Sequence, residues 1–83
     1  MELKGTIVKI GDIEYISDKF SKREIVIETS GEYPQKISCQ VSNAKNNLFD
    51  NYSVGQEVTA HINIKGREHK EKYYNTIEIW KIN

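Results

Sequence analysis

Eighty-three residues make a single domain, 1–83, with one modest core and no room for a second. Twelve Lys and Arg balance twelve Asp and Glu, which excludes the strongly basic surface of a nonspecific duplex binder. One cysteine rules out an internal disulfide, and no stretch nears the ~20 apolar residues of a membrane span, so a reducing, cytoplasmic setting is expected.

MELKGTIVKIGD lacks the apolar run of a signal peptide. Leu3–Ile10 alternates and is β-branched, which predicts a strand. Gly5 inside it costs packing unless the strand bends or is closely approached there, as in a small closed barrel. Gly11–Arg23 is polar with no sustained helical stripe, so it reads as a long loop or an extended hairpin arm. Its rings, Tyr15 and Phe20, can lie over a ligand face or fold back as lids on the core.

Glu24–Thr29 and Gln35–Val41 are two strands joined by the turn Ser30–Pro34. Ile25 and Ile27, then Ile37, Cys39 and Val41, share the buried side, while Lys36, Ser38 and Gln40 form a polar outer face. Cys39 thus reads as a small core residue rather than a reactive thiol. Asn43–Tyr52 is the one helical candidate: Ser42 or Asn43 can cap it, and Ala44, Leu48 and Tyr52 recur every four residues. Its asparagines make it weak, held by packing, with Leu48, Phe49 and Tyr52 plugging a barrel end.

After the turn Ser53–Glu57, the apolar series Val58, Ala60, Ile62, Ile64 gives the strongest period-two signal in the chain. Gly66–Lys72 is expected to be a connecting loop. Tyr73–Ile82 is the last strand, with Ile77 and Ile79 on one face and Trp80 and Ile82 on the other. The order is three strands, a short helix, then two strands. That predicts an all-β fold with one short helix: the five-stranded oligonucleotide/oligosaccharide-binding (OB) Greek-key barrel, helix between strands 3 and 4.

The segments REIVIETSGEYPQKISCQV, SVGQEV and KGREHKEKYYNTIEIWKI resemble a family of small bacterial and phage proteins. These are long described as a domain of unknown function and regarded as single-stranded-DNA-binding-like barrels. The resemblance runs from MELKG to WKI. It implies an OB fold and binding to single-stranded DNA, in a bacterial cell or phage-infected host. The residues matching the family pattern are Tyr33, Pro34, Arg67, Glu68, Tyr73, Tyr74, Trp80 and Lys81. Tyr73 stands where relatives often carry tryptophan, so its stacking surface is smaller. No acidic recruiting tail follows Trp80, which argues against a hub-like role.

In OB barrels the outer face of strands 2 and 3, with the first-to-second and fourth-to-fifth loops, forms the binding groove. Here that region holds Lys36, Ser38 and Gln40 bordered by Tyr33, with Lys19, Lys22 and Arg23 on one side. Lys65, Arg67, Lys70 and Lys72 lie on the other, followed by Tyr73 and Tyr74. Cations can neutralise phosphates while rings stack on bases, so binding does not require a basic chain. Adjacent tyrosines point to opposite faces, so only one of Tyr73 and Tyr74 can enter the groove. Trp80 is a candidate platform, but its place beside Ile79 and Ile82 points first to a barrel-closing core residue.

His61, His69 and one distant cysteine have no metal-ligand spacing, no cofactor motif is present, and Glu68 and Glu71 read as a solvated pair. The expectation is therefore a binding protein and not an enzyme. It would coat single-stranded DNA in replication or recombination, as a monomer or homodimer, with no small-molecule cofactor and no membrane partner. Two rivals share the fold. One is an OB module that docks another protein, such as a replication or defence factor, favoured by the mixed charges. The other is an RNA binder of the cold-shock type, which lacks its K-G-F-G-F motif here.

Overall fold

Each strand of this chain carries a single apolar row, and the chain buries the five rows against one another by rolling the sheet closed. The computed structural model describes Met1–Asn83. It contains β1 (Glu2–Ser17), β2 (Phe20–Thr29), β3 (Lys36–Ser42), a 3₁₀ helix (Asn43–Phe49), β4 (Glu57–His69) and β5 (Lys72–Ile82). The strands close in the order β1-β2-β3-β5-β4, with β4 returning to β1. All pairings are antiparallel except β3 with β5, which meet in parallel at a single residue pair, Gln40 and Glu78.

The core takes residues from every element: Ile7, then Ile25 and Ile27, then Cys39 and Val41, then Val58, Ala60 and Ile62, and finally Ile79. Phe49 of the 3₁₀ helix fills the barrel end, with Leu48 and Tyr52 packed against it as the spacing predicts. Gly5 pairs with Thr29 of β2 and Val58 of β4, where β1 serves both halves of the barrel. A side chain there would collide with the Glu28 carbonyl oxygen and come within 2.8 Å of Ile27 Cγ2. The expected close approach is what Gly5 provides.

Four expectations need correction. The first strand does not stop at Ile10. It continues to Ser17 and turns directly into Phe20, so Gly11–Arg23 is a hairpin arm and the loop alternative fails. Gly66–Lys72 is likewise not a loop: β4 runs to His69 and β5 starts at Lys72, across the two-residue turn Lys70-Glu71. Polar residues in a ladder satisfy the backbone as well as apolar ones do, so an arm projecting into water carries no apolar alternation to announce it. The helix is a 3₁₀ segment ending at Phe49, not an α-helix reaching Tyr52. Ser42 makes no capping bond, and the Asn43 carboxamide accepts the Ser21 backbone N–H instead. Finally, Trp80 follows buried Ile79 and so points outward instead of closing the core, while a bulge in β5 between the Ile62–Ile79 and His61–Lys81 pairs returns Ile82 to the core side.

Arg23 has the same strand parity as Ile25 and Ile27, so its side chain goes to the barrel end rather than the outer face. There Nε donates to the Gly11 carbonyl at 2.7 Å. Nη1 donates to the Asn46 carbonyl at 3.1 Å and meets Asp50 Oδ1 at 3.2 Å. Asn46, itself buried, donates from Nδ2 to Ser21 Oγ at 2.7 Å. A neutral helix-former would not hold such a short 3₁₀ segment in place; these bonds to β1 and β2 do.

Candidate nucleic-acid interface

Residues directly opposite in an antiparallel ladder share a face. In the β4–β5 arm this sorts the side chains by chemistry. Lys65 pairs with Thr76, Arg67 with Tyr74 and His69 with Lys72, giving these rungs three cations, a histidine and a ring, with Glu78, opposite Asn63, as the one carboxylate at the foot of the same face. Ile64 pairs with Ile77, Gly66 with Asn75 and Glu68 with Tyr73, so the acid and the second tyrosine lie on the reverse. The Arg67 guanidinium sits over the Tyr74 ring, 5.5 Å from its centroid.

The cationic face looks toward the other arm. Phe20, at the tip of the β1–β2 arm, and Tyr74 with Arg67 line one cavity of about 270 Å³ over Gln40 of β3. A second cavity of about 460 Å³, lined by Lys22, Glu24, Ser38 and Gln40 with Thr76, adjoins it. Gln40 and Thr76 line both, so the two form one trough between the arms. Of the two adjacent tyrosines, Tyr74 is the one that faces it.

The floor of this trough is an ordered row across all five strands. Gln40 on β3 stands opposite Glu24 on β2 and Glu78 on β5. Glu24 accepts from Ser38 Oγ at 2.6 Å and pairs with Lys9 Nζ of β1 at 2.9 Å. Glu78 pairs with Lys65 Nζ of β4 at 2.9 Å and accepts from Ser42 Oγ at 3.4 Å, while Ser42 Oγ accepts from Gln40 Nε2 at 3.2 Å. The Ser38 hydroxyl first, then Lys9, holds the Glu24 carboxyl below its ordinary value, and the bond to Glu24 raises the Lys9 ammonium.

The remaining sequence candidates are distributed unevenly. Lys70 and Lys72 are at the tip of the β4–β5 arm and, like Lys22, Lys36 and Arg67, make no ion pair within the chain. Lys36 and Tyr33 lie at the other end of the β2–β3 hairpin, about 30 Å of extended strand from Phe20, so they do not join the cluster around Tyr74. Arg23 borders the trough, but its guanidinium is committed to the clamp described above.

Trp80 is not the core-closing residue its neighbours suggested. It is 42% exposed on the outer face of β5, in line with Glu78, Thr76 and Tyr74, and tilts against His61 with centroids 5.3 Å apart. Sequence reading missed Lys9, Glu24 and Glu78 as parts of the trough floor. Their pairing depends on strand register, though Ser38 and Gln40 marked the row they flank.

A five-stranded Greek-key barrel with this strand order and a short helix between β3 and β4 is an OB fold, here with both groove-flanking hairpins extended into arms. The chain belongs to the family described as Domain of unknown function (DUF3127), whose model matches residues 2–83. Among solved structures it is similar to the dimeric structure of the N-terminal domain of PriB protein from Thermoanaerobacter tencongensis. The TM-score is 0.72 at 16% identity, over 100% of this chain and 91% of that one. No curated protein matches the chain.

Proposed function

We propose that this protein binds single-stranded nucleic acid, DNA in the first place and without requiring a set sequence, and that it serves replication or recombination in the cytoplasm. The observation that carries the reading is the sorting of the β4–β5 arm. Lys65, Arg67 and Lys72 share one face with Tyr74; its one carboxylate, Glu78, is paired with Lys65, which leaves Arg67 and Lys72 free, and that face meets Phe20 across the trough. Cations at the rim track phosphates, and the rings stack on bases of any identity at about 1–3 kcal/mol each. Two such rings and a few phosphate contacts give useful affinity to a chain with no net charge. The mechanism is binding alone, with no bond made or broken.

Fluorescence anisotropy with matched single-stranded DNA, duplex and RNA probes of mixed sequence, titrated at rising salt, tests this. Single-strand binding predicts a log–log salt slope of about −0.7 per phosphate contact and weaker duplex binding. Equal affinity for duplex, or no binding at low salt, overturns it, and the RNA probe decides between the two nucleic acids. Self-association is part of the same proposal: the similar PriB domain structure is dimeric, and sedimentation equilibrium reads the state of this chain directly.

A second reading has its own observation. On the reverse face of the β4–β5 arm Ile64 is 58% and Tyr73 76% exposed, two apolar side chains on either side of the Gly66–Asn75 rung that a protein partner could cover. If the chain docks a protein there, an Ile64→Glu variant loses that partner and keeps its oligonucleotide affinity.

A further inference from the structure

The trough floor has a hydrogen-bond polarity that the rim does not share. The Ser38 and Ser42 hydroxyls both point their protons at carboxylates, Glu24 and Glu78 respectively. Each carboxylate has about four lone-pair positions, and within the chain Glu24 and Glu78 use two each, one for a serine and one for a lysine. Both carboxylates therefore keep open acceptor positions, spaced one strand to either side of Gln40, while the cations stand outside them on β1 and β4. Ser38 and Lys9 favour the charged form of Glu24 and lower its pKa from the ordinary value.

A phosphate gains little from a floor whose lysines are already paired and more from the unpaired Lys22, Arg67 and Lys72 at the margins, so a bound strand presents its bases inward. What the floor accepts is then a base edge rich in N–H donors. Guanine offers two adjacent donors, N1–H and the 2-amino group, that fit one carboxylate side by side. Cytosine and adenine each offer one amino group, whereas thymine offers a single N–H between two carbonyl oxygens that the floor repels. We infer that Glu24 and Glu78 read bases in the trough and give the protein a preference for amino-bearing bases, guanine first and thymine last. The inference rests on the single-strand reading above and adds to it which base the floor favours and which residues choose it.

The test is a host–guest series: a 15-nucleotide oligo-dT with its three central positions left as thymine or replaced by guanine, inosine or cytosine. The expected order is guanine, then cytosine, then thymine, with guanine about tenfold tighter than thymine and inosine losing part of that gain with its 2-amino group. Glu24→Gln and Glu78→Gln should each shrink the guanine-to-thymine ratio while tightening oligo-dT, since removing a floor charge eases the approach of carbonyl oxygens. Equal binding of all four oligonucleotides, or a ratio untouched in both variants, overturns the base preference while leaving single-strand binding standing. Failure of every oligonucleotide to bind overturns both. Circular dichroism of the variants separates a lost preference from a lost fold, because both glutamates are on the outer face and neither substitution removes core volume.

Discussion

Arg67 and Tyr74 face each other directly across the β4–β5 arm, the guanidinium stacked over the ring at 5.5 Å. Both line the same cavity, so the cation and the ring stand side by side in the trough. Tyr74→Ala is expected to weaken single-strand binding by about 1–3 kcal/mol, whereas Tyr73→Ala, on the reverse face, changes it little. Arg67→Ala should also lower the magnitude of the salt slope by about 0.7. Anisotropy titrations of the three variants at several salt concentrations check all of this.

Arg23 is a cation in the groove region whose work is structural. Its loss strands the Gly11 and Asn46 carbonyls and frees the 3₁₀ helix from β1 and β2. Arg23→Ala should cost about 2–4 kcal/mol in urea unfolding. Arg23→Lys should recover only part of that, because an ammonium cannot span both carbonyls and Asp50 with a planar fork.

The turn at the tip of the second arm is built from the wrong residues for its shape. Lys70 and Glu71 both have positive φ, 52° and 63°, which is the type I′ geometry that Asn-Gly adopts without strain. The double variant Lys70→Asn, Glu71→Gly should therefore be more stable by about 1–2 kcal/mol, read as a raised urea midpoint at unchanged m-value. It exchanges one base and one acid for neutral residues, so net charge stays fixed while the contribution of Lys70 to the salt slope disappears.

Burial pushes the Cys39 thiol up to about 11 from an ordinary 9.0. The unfolded chain then loses this proton first, so between those values the unfolded state binds fewer protons than the folded one and stability falls as pH rises. A Cys39→Ala variant should lack that part of the alkaline decline in a pH series of urea melts, at the cost of a small cavity. The native thiol should stay inert to a disulfide reagent at pH 8 until the barrel is unfolded.

The barrel itself was legible because its buried rows obey period two: Ile25 and Ile27, Cys39 and Val41, Val58 to Ile62 all point where alternation puts them. The arms were not. Beyond Ile10 on β1 and Ile64 on β4 neither strand has a core to face, so water sets no pattern and only backbone pairing records the strand. Trp80 was misplaced for a different reason: alternation from Ile79 already set it on the outer face, and its apolar neighbours argued it inward. The bulge that follows, which nothing in IEIWKI marks, changed the side of Ile82. The cations and Tyr74 were legible as a group, yet their separation from Glu68 and Tyr73 follows from pairings that only the register of the arm defines.

The sheet is stitched shut at one place by one residue pair, Gln40 with Glu78, where every other seam has several. A zipper with a single tooth opens there first, so the amides of β3 and β5 flanking that tooth should exchange with deuterium sooner than those of β1 and β2. Whatever lies along the trough crosses this gap and holds both lips. Occupancy would then be felt as a tightening of the whole cylinder, with the ligand serving as a removable sixth strand of mortar in its weakest joint.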